Sequence, residues 1–179
     1  EGTRKVSQTR NLIRYLMRHK HTSPFEMCEV KFHIKLPIFI MRQLVRHRTA
    51  NINEYSGRYS LMSDEFYLPA EADVQEQSSS NNQGRGKDLD QDNKILVLSR
   101  MVNVTDQAKE CYRQIANPTP LDGFYEGFKG IARELARTVL PVSNYTECIW
   151  KIDLNNFFHF AKLRMDAHAQ KEIQDYASA

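Results

Sequence analysis

Residues 29–60 read EVKFHIKLPIFIMRQLVRHRTANINEYSGRYS, and three kinds of local structure succeed one another within them. Val30, Phe32, Ile34 and Leu36 alternate with Glu29, Lys31, His33 and Lys35, a period of two that predicts a strand with one buried face. Pro37 suits the opening of a helix, where its missing N–H would have no partner anyway. The helix expected from Ile38 to about His47 turns Ile38, Met41, Leu44 and Val45 toward a core. It places Gln43, Arg46 and His47, spaced i, i+3 and i+4, on one other surface. A polar loop is expected from Thr49 to Ser63.

The flanking sequence extends this alternation of elements. Leu12, Ile13, Leu16 and Met17 predict an amphipathic helix over Thr9 to Lys20. In HTSPFE, residues 21–26, Ser23 is spaced to cap a short helical turn with Glu26, and Pro24 to take its first position. Glu65 to Pro69 reads as a short strand. Residues 70–93 are Ser, Gln, Asn, Asp and Gly with almost no apolar side chain, and read as a mobile excursion or lid, the least ordered part of the chain. Helices are expected from about Gln91 to Ile115, from about Asp122 to Val139, and from Leu154 to about Tyr176. In the last, Phe157, Ala161, Arg164 and His168 share a face. Cys148, Trp150 and Ile152 alternate with Glu147, Ile149 and Lys151 as a second strand. Long helices with two or three strands, in no regular βαβ alternation, predict an α+β fold with a small antiparallel or mixed sheet.

The 179 residues suit one domain better than two, and 41% hydrophobic with 26% charged residues excludes a disordered or fibrous chain. No apolar run reaches the roughly 18 residues of a membrane span, so no membrane partner is expected. The opening Glu1-Gly-Thr-Arg-Lys5 has no apolar core of a secretory leader. Cys28, Cys111 and Cys148 are odd in number and unpaired in spacing, as in a reduced, cytoplasmic protein. The net charge is +3, and Arg42 to Arg58, with four arginines and one glutamate, carries all of it. So local an excess fits a small anionic ligand better than a nucleic acid polymer.

Arg46-His47-Arg48, followed after seven residues by Ser56, is the densest candidate site. Its forked donors suit phosphate or another oxyanion, while Asn53, Glu54, Ser56 and Arg58 add donors and acceptors in a loop that Gly57 allows close to a ligand. Cations complementing a helix C-terminus, with a self-capped loop, are the alternative. Ser56 reads as a nucleophile or, more simply, as a contact to a ligand hydroxyl; it lacks a GxSxG elbow. His47 reads as a general base or as a structural or phosphate-contacting residue. Arg133 and Arg137, four apart beside Glu134, read as a solvated face with an ion pair. Arg164, on a partly buried stripe, needs an anionic partner and is a better ligand candidate. No metal site is expected: HExxH and zinc-finger spacings are absent. Gly84-Arg-Gly-Lys87 matches neither the Walker pattern nor GxGxxG.

The stretch RHR, seven residues, then Ser, within PIFIMRQLVRHRTANINEYSGRYS, resembles the signature of the flavin-dependent thymidylate synthases. HTSPFE at 21–26, ELARTVLP at 134–141 and FHFAKLRMDAHAQKEI at 158–173 are similar to further blocks of that family. The resemblance implies a single catalytic domain over 1–179 in which FAD is held by Arg46, His47 and Arg48, with Ser23, Glu26 and Glu54 nearby and Asp153, Leu154, Asn155 and His159 from the C-terminal side. It implies dUMP held by Gln43, Arg46, the loop Glu54, Tyr55, Ser56, Gly57 and Arg58, and by Arg137 and Arg164. Arg164 would be catalytic, polarising the uracil ring. The implied reaction moves a methylene group from methylenetetrahydrofolate to C5 of dUMP, with hydride from reduced flavin and NADPH recharging it. No covalent cysteine is involved, and Ser56 becomes a substrate contact. The family works as a cytoplasmic homotetramer with active sites at subunit interfaces. Many relatives carry Asn and Arg where this chain has Asp153 and Asn155, which implies backbone-mediated or weaker FAD contacts there. Family-typical extensions at both ends are expected to lie outside this stretch. A non-catalytic RNA- or nucleotide-binding module using Arg42 to Arg58 is the alternative reading, and a flavoprotein without methylation a third.

Overall fold

The structure, a computed structural model, describes residues 6–179; Glu1 to Lys5, read above for a leader, lie outside the described residues. A three-stranded antiparallel sheet forms its centre, in the order β1 (Glu29–Pro37), β5 (Tyr145–Asp153), β2 (Asn51–Glu54). β1 runs the full length of β5, from Glu29 opposite Asp153 to Pro37 opposite Tyr145. β2 covers only part of the other edge, from Asn51 opposite Lys151 to Glu54 opposite Cys148.

The alternation of β5 puts Cys148, Trp150 and Ile152 on the buried face. There they meet Leu36 of β1, Ile40, Met41 and Leu44 of α3 (Ile38–Leu44), Phe160 of α6 (Leu154–Arg164) and Ile173 of α7 (Lys171–Ser178). Trp150, only 1% exposed, sits edge-on to Phe160 at 4.9 Å between ring centroids. Truncating so buried an aromatic costs about 3–5 kcal/mol.

Pro37 is fully extended and ends β1 as α3 begins. The first free N–H groups of α3 are satisfied by the neighbouring chain: Ile38 N donates to the Asn144 carbonyl at 2.9 Å and Phe39 N to the Val142 carbonyl at 2.9 Å. α3 stops at Leu44, three residues before the expected end, but i→i+3 bonds from Arg46 N to Gln43 O and from His47 N to Leu44 O continue the turn.

The remaining helices are α1 (Val6–Arg18), α2 (Ser23–Glu26), α4 (Gln91–Ala116) and α5 (Arg133–Ala136). α4 begins on an Asp90 cap whose side chain accepts from Asn93 N at 3.0 Å. Five expectations are corrected. The helix read over Asp122 to Val139 is mostly irregular: Gly123, Gly127 and Gly130 take φ of +77°, +87° and +94°, leaving a 3-10 turn at 120–122, the short α5 and another turn at 137–139. The helix read from Leu154 to Tyr176 is two, α6 and α7. Asp166 accepts from the backbone and ring of His168, both at 2.9 Å, and this local turn keeps His168 off the α6 face. Ser23 is the first residue of α2 and makes no cap, because the N-cap position belongs to Thr22, without a side-chain bond. Glu65 to Pro69 contributes only an isolated bridge, Phe66 to Asn144. Residues 70–93, read as a mobile excursion or lid and the least ordered part of the chain, contain a 3-10 turn at 71–73 and an antiparallel hairpin of β3 (Gln75–Gln77) and β4 (Arg85–Asp88). Arg85 ties that hairpin to Asp73 at 3.0 Å and to Glu172 of α7 at 2.5 Å.

Candidate functional site

β2 is a four-residue edge strand spanning roughly 10 Å, and a cluster of arginines stands at each end. Before Asn51 come Arg46, His47 and Arg48. His47 packs edge-on against Phe160, with centroids 4.9 Å apart, and its Nε2 accepts a hydrogen bond from Arg164 Nε at 3.0 Å. Burial, and then the positive charges of Arg164 and His159, push the imidazole below its ordinary range, so it stays neutral with Nε2 as acceptor. Arg164 thus finds a neutral imidazole where an anion was expected, and its terminal nitrogens make no hydrogen bond or ion pair among the described residues. The guanidinium groups of Arg46 and Arg48 make no hydrogen bond or ion pair among the described residues, and both are exposed.

Around this end lie the residues matched to FAD other than Glu54, which stands at the far end of β2 and lines a cavity there. The amino end of α6 faces α2, where Phe158 meets Phe25 at 5.9 Å. Asp153 caps α6, accepting from Asn156 N at 2.9 Å and Asn156 Nδ2 at 2.6 Å. Burial works against its ionisation, but these bonds outweigh it and hold the carboxyl below the usual range. The Leu154 N–H is also committed, to the Cys28 carbonyl at 2.9 Å. The side chains of Ser23, Glu26, Asn155 and His159 make no hydrogen bond or ion pair among the described residues. Two partnerless guanidinium groups with an imidazole nearby form a donor set suited to the diphosphate of a flavin dinucleotide. The residues present therefore fit that group, through Arg46, Arg48, Asn155 and His159 rather than the Asp153 carboxylate.

At the other end of β2, Ile38, Glu54, Tyr55, Ser56, Gly57, Met62, Arg137 and Leu140 line a cavity of about 330 Å³. Its polar groups are braced by the protein. Glu54 accepts from Thr146 Oγ1 at 3.0 Å, and Tyr55 donates its hydroxyl to the Leu61 carbonyl at 2.8 Å. Arg58 pairs with Glu134 at 3.1 Å. Glu134 is therefore not the partner of Arg137, and the surface ion pair read for Arg133 and Arg137 does not form; Arg133 instead donates to the Tyr59 carbonyl. Arg137 is exposed and makes no hydrogen bond or ion pair among the described residues, with its side chain against Gly57. A Cβ at Gly57 would stand 2.7 Å from Met62 Sδ and 3.2 Å from Arg137 Cδ, so a larger residue fits there only if those two side chains shift. Ser56 Oγ accepts from Arg58 N at 3.3 Å and has no basic side chain bonded to it, which removes the activation a nucleophile needs. Burial and the Glu54 charge push the Cys148 thiol up to about 11, which makes it a poor nucleophile.

The residues matched to dUMP thus fall into two sets, Gln43, Arg46 and Arg164 against Glu54 to Arg58 and Arg137. Among the described residues no hydrogen bond or ion pair joins them. Gln43 donates to Gln170 Oε1 at 2.5 Å, a contact the sequence reading did not contain. Gln170 and Glu172 lay inside the quoted block at 158–173, and nothing in their spacing distinguished them. Among the described residues no three His, Cys, Asp or Glu side chains are grouped to hold a metal, and no helix is long and apolar enough to cross a membrane.

Fold and site together define an α+β protein with arginine side chains gathered at both ends of one edge strand. The chain belongs to the thymidylate synthase complementing protein family, whose model matches residues 1–179. It is 53% identical over 176 residues to a flavin-dependent thymidylate synthase of Gluconobacter oxydans, covering 98% of this chain and 55% of that protein. It is 51% identical over 177 residues to one of Dictyostelium discoideum, covering 99% of this chain and 54% of that protein. The chain therefore spans a little over half the length of these relatives. Among solved structures, it resembles the UMP/dUMP methylase PolB of Streptomyces cacaoi bound with 5-Br UMP. The TM-score is 0.81 at 35% identity, covering 97% of this chain and 76% of that one.

Proposed function

We propose that residues 1–179 form the catalytic domain of a flavin-dependent thymidylate synthase, which methylates dUMP to dTMP with methylenetetrahydrofolate as carbon donor and NADPH as reductant through FAD. The observation that carries this reading is the pair of arginine sets at the two ends of β2, in which Arg46 and Arg48 at one end and Arg137 at the other have no partner among the described residues. When bound, the flavin would supply the hydride. Arg46 and Arg48 would neutralise its diphosphate. Neutral His47 holds Arg164 by Nε, which leaves the terminal nitrogens of Arg164 to polarise the uracil ring and stabilise negative charge on it. Glu54 to Arg58 and Arg137 would grip the nucleotide, Ser56 as a contact.

Assembly as a homotetramer would bring the Gln43, Arg46 and Arg164 set of one protomer to the Glu54 to Arg58 set of its partner. Exposed apolar side chains on the longest helices support such contacts: Ile13 on α1 is 45% exposed, and Ile95 and Val104 on α4 are 55% and 60% exposed. Three free cysteines suit the cytoplasm. The test is a deoxyuridylate methylation assay of the full-length protein with FAD, NADPH and methylenetetrahydrofolate, in which dTMP should accumulate. A protein that binds flavin and dUMP but forms no dTMP would be a flavoprotein without methylation. A colourless protein that binds RNA with a steep salt dependence would overturn the assignment altogether.

A further inference from the structure

Glu172 is a buried carboxylate with three hydrogen-bonding partners outside the proposed chemistry, and its bonds lead to Gln43. Its side chain is 9% exposed, and Oε1 accepts from Tyr67 Oη at 2.7 Å and from Arg85 Nη2 at 2.5 Å. Oε2 accepts from Gln170 Nε2 at 2.8 Å. Gln170 Oε1 in turn accepts from Gln43 Nε2 at 2.5 Å. An ionised carboxylate only accepts hydrogen bonds. Burial opposes ionisation of Glu172, but the bonds from Tyr67 and Gln170, its own backbone N–H and the Arg85 charge outweigh it and keep the carboxyl below the usual range.

The polarity of the chain follows. Gln170 must turn its NH2 toward Glu172, so its carbonyl oxygen faces Gln43. Gln43 must then spend an N–H on Gln170, which leaves its own carbonyl oxygen and one N–H for a ligand. A glutamine that flips freely matches the ring edge of either uracil, with a carbonyl beside an N–H, or cytosine, with an amine beside a bare nitrogen. A glutamine held one way round matches only one of them.

We propose that Gln170 and Glu172 are positioning residues that fix the amide of Gln43 and make the site select a uracil ring over a cytosine ring. The β3–β4 hairpin takes part, because its Arg85 supplies the positive charge beside Glu172. The proposal rests on Gln43 being among the residues that hold dUMP, as read above, and adds that its contact is with the base.

The test is titration of the full-length, FAD-loaded protein with dUMP and with dCMP. Gln170→Leu changes an exposed side chain, and Glu172→Gln keeps the size of the buried one but, with its oxygen held by Arg85, turns an NH2 to Gln170 and reverses the relay. Each should lower the ratio of dUMP to dCMP affinity by about tenfold, the equivalent of one net hydrogen bond. Gln43→Ala should lower the ratio as much, and adding Gln170→Leu to it should change nothing further. A general loss of structure would weaken both nucleotides alike and would leave the ratio where it was. If Gln170→Leu and Glu172→Gln keep the wild-type ratio while Gln43→Ala lowers it, the positioning role is overturned and Gln43 stands as a ligand contact. If Gln43→Ala leaves dUMP binding unchanged, the reading beneath the proposal is wrong, and the proposal falls with it.

Discussion

At the Glu54 end of β2, Glu54, Tyr55 and Arg58 are each tied to the protein, to Thr146, Leu61 and Glu134, whereas at the Asn51 end the guanidinium groups of Arg46 and Arg48 have no partner among the described residues. One end is a shaped cavity, braced by its own hydrogen bonds. The other is a set of exposed donors. The difference matches two demands, shape for a nucleotide and concentrated charge for a diphosphate.

Arg46 belongs to both proposed ligands, so Arg46→Ala should produce the largest effect. Charge-assisted bonds contribute about 1.5–3 kcal/mol each, so flavin and dUMP should both bind on the order of ten to a hundred times more weakly, as read by flavin absorbance per protomer and by titration. Arg164→Lys keeps the charge and loses the planar fork. It should cut kcat/KM by about tenfold or more while flavin retention changes little, and equal loss of both would remove Arg164 from the substrate.

Gly57→Ala probes the braced end. The added Cβ must displace Met62 and Arg137, an overpacking cost of about 1–3 kcal/mol. A lower melting temperature and weaker dUMP binding are expected, with flavin content unchanged.

A smaller effect lies in pH. The folded-state pKa of His47 is below the ordinary imidazole value of about 6.5. Its stabilising contribution is therefore fully present above about pH 6.5, and falls as the pH drops from there toward the folded-state value, where the unfolded chain binds the extra proton. Thermal melts of the protein and of His47→Gln across that range should show a shallower slope for the variant.

Much of this frame was legible in the sequence, because β1 and β5 each turn one face to the core with a clean alternation, whereas α4 leaves most of its apolar side chains exposed. The misreadings have physical causes. Phe124, Phe128, Ile131 and Leu135 keep helical spacing, but Gly123, Gly127 and Gly130 accept positive φ and the chain takes a different path. β2 has one apolar residue, Ile52, in four, so as an edge strand it carries almost no alternation to read. The β3–β4 hairpin depends on Arg85 reaching Asp73 and Glu172, partners that only folding supplies. The same holds for Arg137: next to Glu134 in sequence it reads as a surface pair, yet Arg58 takes the glutamate and leaves Arg137 at the cavity. The roles of the Arg46 to Ser56 residues came from family resemblance, not from spacing.

The division of labour between the two ends of β2 is tested most directly by measuring flavin content and dUMP affinity together in Arg48→Ala and Arg137→Ala of the full-length protein. Arg48→Ala should lose flavin and, once flavin is supplied in excess, bind dUMP normally; Arg137→Ala should keep its flavin and lose dUMP affinity by about tenfold or more. Two variants that lose both ligands in the same proportion would contradict the account, since Arg48 and Arg137 would then not divide flavin and nucleotide between them.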